Sequence, residues 1–202
     1  RIGPGYYPVA EHLRLLDPDV VLVVGPRGSG KTEIARVLTH TTLYDAVKVH
    51  APAVRLPAGV SEWLRAYPAD RDTFEAIGLR NFMQAEGNST DALRELWFAY
   101  LVRILKMKLS EDERAGLEPL FAPQGAEIGT IYQAFRQLAT KPVVALDRLD
   151  ERLERENRFV FVTYDELDKL GDGDWNLIEA GVRGLGAFWA AYARRWRRIR
   201  AK

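Results

Sequence analysis

The sequence predicts an α/β fold with a parallel sheet, and three observations support this prediction. A continuous apolar and β-branched run at residues 20–24 is typical of a strand buried on both faces of such a sheet. A glycine-rich loop and a helical pattern follow that run directly. A second apolar run, at residues 159–164, ends in carboxylates. We therefore expect a strand–loop–helix unit with its ligand site at the carboxyl ends of the strands.

Composition restricts the classes of function. The chain has 202 residues, of which 47% are hydrophobic and 28% charged, so one ordinary soluble domain over residues 1–202 is expected and intrinsic disorder is excluded. Cysteine is absent and histidine occurs three times, which rules out disulfides and thiol catalysis and argues against a zinc enzyme. No apolar run approaches a membrane span, and no signal peptide is evident, so the prediction is a cytoplasmic protein.

The remaining pattern is mostly helical. A second short strand is predicted at 46–49, and residues 60–157 are predicted to be helical, with a capping group at 88–90 before the clearest helix. We expect residues 52–140 to form a mainly helical insertion within the domain. The individual helices are predicted at 33–39, 91–107, 128–139, from Pro142 onward, and over a final stripe from Ile178 to Trp196.

The glycine-rich loop is a phosphate-binding motif. It matches G-x-x-x-x-G-K-[ST] at every fixed position and joins a strand to a helix, whereas a plain connecting turn would not require the final Lys-Thr. Glycines let the backbone amides surround a phosphate, and the helix N-terminus adds positive charge. Lys31 would reach the terminal phosphates and Thr32 would bind Mg²⁺, while Arg27 occupies a variable position that usually faces solvent. The predicted phosphate-binding residues are Gly25, Pro26, Arg27, Gly28, Ser29, Gly30, Lys31 and Thr32.

Two carboxylates follow the second apolar run. Asp165 would hold Mg²⁺ directly or through water, and Glu166 would orient and deprotonate the attacking water. A solvated strand end is the plainer alternative, because acids commonly follow strands. A competing acidic run at Asp147 and Asp150–Glu151 follows Val143–Leu146, but its leucines continue at helical spacing, so the strand at 159–164 is favoured.

These two motifs carry a resemblance to a known class. GPRGSGKT followed by FVFVTYDELDKL resembles the P-loop ATPases with an additional strand and a catalytic glutamate, particularly AAA+ and STAND-like ATPases. The resemblance implies a three-layer sandwich, ATP and Mg²⁺ as ligands, Lys31 and Glu166 in catalysis, and Thr32 and Asp165 on the metal. The helices between the motifs resemble elaborations of bacterial STAND-type and defence-associated ATPases. That likeness implies coupling of nucleotide state to conformational change or assembly, in bacterial defence.

One departure concerns a further strand. In the resembling class this strand carries a polar sensor and lies between the P-loop strand and the acidic strand, yet none is evident before Lys202. We therefore expect C-terminal strands to be missing, with a gap one strand wide between residues 20–24 and 159–164. Sensor, arginine finger and lid cannot be assigned, and the chain is expected to self-associate or to need a partner protein.

Alternative functions stay open. A guanine-nucleotide switch lacks its base-reading Asn-Lys-x-Asp, and a helicase needs a second motor domain. A small-molecule kinase would differ from an ATPase because it releases no phosphate without an added acceptor. A non-hydrolysing nucleotide-sensing scaffold would differ in its turnover rate and in how its oligomeric state responds to nucleotide. Six positive charges on residues 194–202 allow a nucleic-acid patch, although a solvated helix end that complements the helix dipole is favoured.

Overall fold

The computed structural model describes residues 13–17, 19–26, 28–40, 45, 49, 59–68, 75–121 and 127–202. These residues form seven α-helices and three strands, with short 3₁₀ segments between them. In chain order the elements are α1 (Lys31–Leu38), β1 (Val60–Tyr67), α2 (Ala76–Ala85), α3 (Thr90–Ile104), α4 (Glu111–Arg114), α5 (Ile128–Gln137), α6 (Lys141–Arg155), β2 (Arg158–Tyr164), α7 (Trp175–Tyr192) and β3 (Ile199–Ala201).

The sheet is parallel, with β2 in the middle and the strand order β1-β2-β3. Val60 lies opposite Arg158 at the start of β1, and Val160 lies opposite Ile199 in β3. Parallel pairing brings the carboxyl ends of all three strands to the same edge. The predicted α/β fold with a parallel sheet is thereby confirmed.

Side chains alternate between the two faces of the sheet, and each face is covered. On one face Trp63 and Phe161 stack with ring centroids 4.5 Å apart, beneath the apolar side of α1 and the 3₁₀ segment Arg14–Leu16. On the other face Val160 and Val162 join the large core formed with the remaining helices. The described residues therefore form three layers, with α1 and the 3₁₀ segment Arg14–Leu16 on one side of the sheet and the remaining helices on the other.

Helix α3 lies at the centre of the large core. Its Ser89 cap accepts a hydrogen bond from the Ala92 amide at 3.3 Å, as the predicted capping group requires. The indole of Trp97 donates to the Gly181 carbonyl of α7 at 2.8 Å. The predicted helix at 91–107 is confirmed, with its last residues in a 3₁₀ turn.

Glycines let α7 approach α3 closely. A Cβ built on Gly184 would lie 2.5 Å from the Leu93 Cβ, whereas one on Gly186 would meet nothing within 4 Å. We expect Gly184→Ala to lower the free energy of unfolding by about 1–3 kcal/mol through overpacking. Gly186→Ala, the matched control, should be neutral or stabilising by up to about 1 kcal/mol. Urea unfolding of the two variants checks this, and equal effects would contradict the packing explanation.

The predicted buried strand at 20–24 is wrong for this structure. The segment is extended but pairs with no described strand, and none of the backbone groups of residues 21–24 is hydrogen-bonded within the described part of the chain. Its side chains are correspondingly open to solvent, with 77% of Leu22 and 84% of Val24 exposed. An apolar run indicates that a segment can be buried, but burial as a strand also needs a neighbouring strand. The nearby strand β3 has only three residues and does not pair with residues 20–24.

The structure also differs from the predictions at residues 60–67 and after the acidic motif. Residues 60–67 were expected to be helical but form β1, and residues 46–48 of the predicted strand 46–49 lie outside the described residues. Apart from β1, the described residues between 60 and 157 are mainly helical, as predicted. Strand β3 corrects the expectation that no strand follows the acidic motif, because it pairs with β2 on the side away from β1. The final helix ends at Tyr192, so Trp196 lies beyond it.

Candidate nucleotide site

The phosphate loop precedes α1 in a conformation that requires glycine. Gly28 and Gly30 have φ angles of 83° and 82°, in the left-handed region that L side chains rarely adopt. A Cβ on Gly25 would lie 2.8 Å from the Ser29 hydroxyl. The loop therefore forms the tight turn that the motif predicts, with the helix N-terminus at its end. Arg27 lies outside the described residues.

Lys31 is folded back over this loop. Its ammonium donates to the carbonyls of Gly25 at 2.7 Å and Pro26 at 2.9 Å, and to the Ser29 hydroxyl at 3.3 Å. Thr32, the next residue, is exposed at the first turn of α1. The positive charge and the hydroxyl are therefore both at the helix N-terminus, where an anion is stabilised.

Asp165 follows directly after β2, the central strand. Its amide donates to the Tyr67 carbonyl at the end of β1 at 2.8 Å, which ties the acidic motif to the neighbouring strand. The carboxylate atom Oδ2 is buried and has no hydrogen-bond partner. A buried carboxylate oxygen without a donor is unfavourable by about 1–3 kcal/mol. Such an atom is suited to accept from a water molecule or to bind a cation.

Glu166 has an unusual backbone conformation. Its φ of 52° places a non-glycine residue in the left-handed region, a strain that clusters at functional sites. The carboxylate pairs with the Lys169 ammonium at 2.6 Å, and Lys169 is largely exposed. An exposed pair of this kind contributes little stability, so the carboxylate can be released at small cost.

Tyr67 belongs to this edge and was not predicted. Burial, together with the negative charges of Glu166 and Asp168, raises the pKa of its phenol to about 12. The phenol therefore stays protonated and can donate a hydrogen bond near the acidic pair. Recognising Tyr67 required knowing that β1 is a strand beside β2, which the helical interpretation of residues 60–67 concealed.

The competing acids have structural roles. Asp147 forms a bidentate pair with Arg195 at 2.8 and 2.6 Å and accepts from the Trp196 indole, and the Arg195 hydrogen bond lowers the pKa of its carboxyl. Asp150 is buried and accepts the backbone amides of Arg197, Arg198 and Ile199 at 2.9, 2.7 and 3.0 Å. Both lie on helix α6, so the acidic strand end at 165–166 stands as the better candidate.

These contacts predict a contrast in stability. Asp150→Ala leaves three amides without their acceptor and should lower the free energy of unfolding by about 3 kcal/mol. Asp147→Ala, the control on the same helix, removes a half-exposed pair and should cost about 1 kcal/mol. Thermal or urea unfolding measures both. Equal losses would contradict the assignment of Asp150 as the anchor of residues 197–199.

The described residues bring some of the predicted site together. Asp165, Glu166 and Tyr67 meet at the carboxyl edge of the sheet, and Lys31 and Thr32 lie on the phosphate loop. Within the described part of the chain, no hydrogen bond or ion pair joins Lys31 to Asp165 or Glu166. Lys202, after β3, donates to the carbonyls of Asp17 and Val20, which anchors the segment leading to the loop beside the carboxyl end of β3.

The described residues contain neither a membrane-spanning helix nor a cluster of metal-binding side chains. No helix there is long and apolar enough to span a membrane. No group of three or more histidine, cysteine, aspartate or glutamate side chains is arranged to hold a metal ion. A magnesium site built from one carboxylate, one hydroxyl and phosphate oxygens would not form such a group, because Mg²⁺ usually keeps several waters and takes few protein ligands.

Comparison with known proteins identifies the family. The AAA ATPase domain family matches residues 10–187, a stretch that contains the phosphate loop, the acidic motif and the helices α1 to α6, together with most of α7. No significant match was found among curated proteins or among solved structures. The match covers most of the chain and agrees with the parallel sheet and the phosphate loop, so the chain belongs to the AAA ATPase domain family and is a P-loop ATPase module.

Proposed function

We propose that this chain binds ATP with Mg²⁺ and hydrolyses it. The observation that carries the proposal is the combination of a glycine-dependent phosphate loop with a buried carboxylate oxygen, Oδ2 of Asp165, that has no hydrogen-bond partner and lies just after the central strand. The loop offers backbone amides, the helix N-terminus and the Lys31 ammonium to the phosphates. On binding, the ammonium would exchange the Gly25 and Pro26 carbonyls for phosphate oxygens, which are stronger, charged acceptors.

The residues present fit a magnesium ion. The Thr32 hydroxyl and the Asp165 carboxylate would hold it together with phosphate oxygens and water, and the orphaned Oδ2 of Asp165 supports this assignment. When bound, the ion neutralises charge on the phosphates during transfer. The protein contributes a rigid position for Asp165, through the hydrogen bond from its amide to the Tyr67 carbonyl.

Glu166 is the proposed general base. It follows Asp165 immediately, its backbone is strained, and its carboxylate needs only to leave Lys169 to face a water beside the terminal phosphate. The water then attacks phosphorus as its proton passes to Glu166, the bond to the leaving oxygen breaks, and ADP and phosphate are released. Tyr67 can donate a hydrogen bond at the same edge, which would help to orient the acidic pair.

We further propose that nucleotide state is coupled to assembly. The exposed apolar side chains of residues 21–24 precede the phosphate loop directly, so a change in the loop is transmitted to a surface suited to a partner protein or a second copy. Measuring oligomeric state with and without ATP tests the coupling. A nucleotide-independent monomer would contradict it. From the sequence resemblance we also propose that the chain is STAND-like and acts in bacterial defence.

The hydrolysis proposal is tested by phosphate release. We expect release from ATP that depends on Mg²⁺ and needs no acceptor. Release only after an acceptor is added would indicate a small-molecule kinase. Tight binding with no release would indicate a nucleotide-sensing scaffold.

A further inference from the structure

The chain forms a cleft rich in arginine after helix α7. The cleft has a volume of about 460 Å³ and lies beside the first residues of β2 and β3. Four arginines and one carboxylate line it, and we refer to it as the arginine cleft. Its lining includes Glu154, Phe159, Arg194, Arg197, Arg198 and Arg200.

The other two cations of residues 194–202 are engaged elsewhere. Arg195 is paired with Asp147, and Lys202 donates to the carbonyls of Asp17 and Val20. The four arginines of the cleft have no ion pair within the described residues, and Glu154 forms none with them. Four guanidinium groups therefore share one cleft with a single carboxylate. Such an excess of positive charge attracts a polyanion.

The structure holds these arginines in place. The buried carboxylate of Asp150 fixes the turn that carries Arg197 and Arg198, by accepting their amides. The Arg198 guanidinium lies 4.4 Å from the centroid of the Phe159 ring. The Arg200 Nε donates to the Arg197 carbonyl at 3.0 Å. Charges on a fixed turn lose less conformational entropy on binding than charges on a flexible tail.

The cleft is remote from the candidate nucleotide site. It adjoins the amino end of β2, whereas Asp165 follows the carboxyl end of the same strand. Six residues of extended strand correspond to about 20 Å. The arginine cleft is therefore separate from the candidate nucleotide site.

We propose that the arginine cleft binds the phosphate backbone of a nucleic acid without reading its sequence. Arginine suits this role because its planar guanidinium meets phosphate oxygens in a bidentate manner. Base stacking is not expected, because one face of Phe159 lies under Arg198 and its ring stacks on Phe161. An anionic membrane is a poorer fit, because no large apolar side chain of the cleft is exposed to enter a bilayer.

The test is binding of a 30-base-pair DNA duplex to the full chain over a range of salt concentrations. With four phosphate contacts, the logarithm of the association constant should fall with the logarithm of salt concentration with a slope of about −3 to −4. Arg194→Gln with Arg197→Gln should weaken binding roughly tenfold or more at 0.1 M salt and make the slope shallower by about 2. Glu154→Gln should tighten binding.

The control removes the same charge elsewhere. Arg136→Gln with Arg183→Gln changes two arginines paired with Glu95 and Glu179, away from the cleft, and should leave duplex binding within about twofold of wild type. Lys31→Ala should also bind the duplex normally, which separates this proposal from the nucleotide site. Two duplexes of unrelated sequence should bind equally well.

Several results would overturn the proposal. These are an absence of duplex binding at low salt, an equal loss in the control variant, or a strong preference between unrelated sequences. Binding to phosphatidylserine vesicles without duplex binding would assign the cleft to membranes instead. Thermal melting of the Arg194/Arg197 variant should match wild type, because both side chains are exposed and unpaired within the described residues.

Discussion

Replacing Lys31 with alanine is expected to abolish measurable ATP binding at micromolar concentrations. Among the described loop residues, only Lys31 carries a full positive charge. Its ammonium lies over the loop, where it donates to two carbonyls and a hydroxyl. Hydrogen bonds to charged groups contribute about 1.5–3 kcal/mol each, and two to the phosphates correspond to roughly 100-fold or more in affinity. Titration with a fluorescent ATP analogue in the presence of Mg²⁺ measures this loss.

The control for Lys31 is Lys141→Ala at the start of α6, in the helical layer on the other side of the sheet. It removes the same charge and should bind the analogue like wild type. Circular dichroism should show both variants folded, because the side-chain hydrogen bonds of Lys31 to described residues all lie within its own loop. Unchanged affinity in a folded Lys31→Ala variant would mean that the loop is not the phosphate site.

Neutralising Asp165 and neutralising Glu166 should impair different steps, nucleotide binding in the first case and hydrolysis in the second. Glu166→Gln should keep ATP affinity and lower turnover by about 10²-fold or more, because general-base catalysis contributes 10²–10⁴-fold. Asp165→Asn should weaken binding in Mg²⁺ but change little in EDTA, because its carboxylate acts through the ion. Binding and phosphate release, each measured with Mg²⁺ and with EDTA, separate these effects.

Asp168→Asn is the matched control for this pair. Asp168 lies in the 3₁₀ segment Leu167–Gly171 that follows the acidic pair, but it is exposed, and its variant should bind and turn over ATP nearly like wild type. Equal turnover in Glu166→Gln and wild type would move the base elsewhere. Asp147 and Asp150 would not be good replacements, because their carboxylates are occupied by Arg195 and by backbone amides.

Features encoded by local sequence were predictable. The glycines of the phosphate loop, the Ser89 cap of α3 and the acids that end β2 depend on residues within a few positions of each other, and the structure has the loop, the helix and the strand where they were expected. The choice between the strand at 158–164 and the leucine-rich segment with Asp147 was also local, because the leucine spacing of α6 is helical.

Features that depend on distant partners were not predictable. Residues 60–67, VSEWLRAY, place apolar side chains at helical spacing, yet they form a strand because β2 supplies the hydrogen-bond partners. The run at 20–24 has the composition of a buried strand but lacks a neighbour and stays exposed. From the sequence Asp150 is only one of the competing acids, and only the fold shows that it accepts amides almost 50 positions away.

Phosphate release from ATP tests the central claim most directly, measured side by side for the wild-type chain and Glu166→Gln at saturating ATP. The account predicts continuous release by the wild type in Mg²⁺ without any acceptor, no release in EDTA, and a loss of about 100-fold or more in Glu166→Gln with binding intact. Release that is equal in the two proteins, or no release by a wild-type chain that binds ATP, would contradict it.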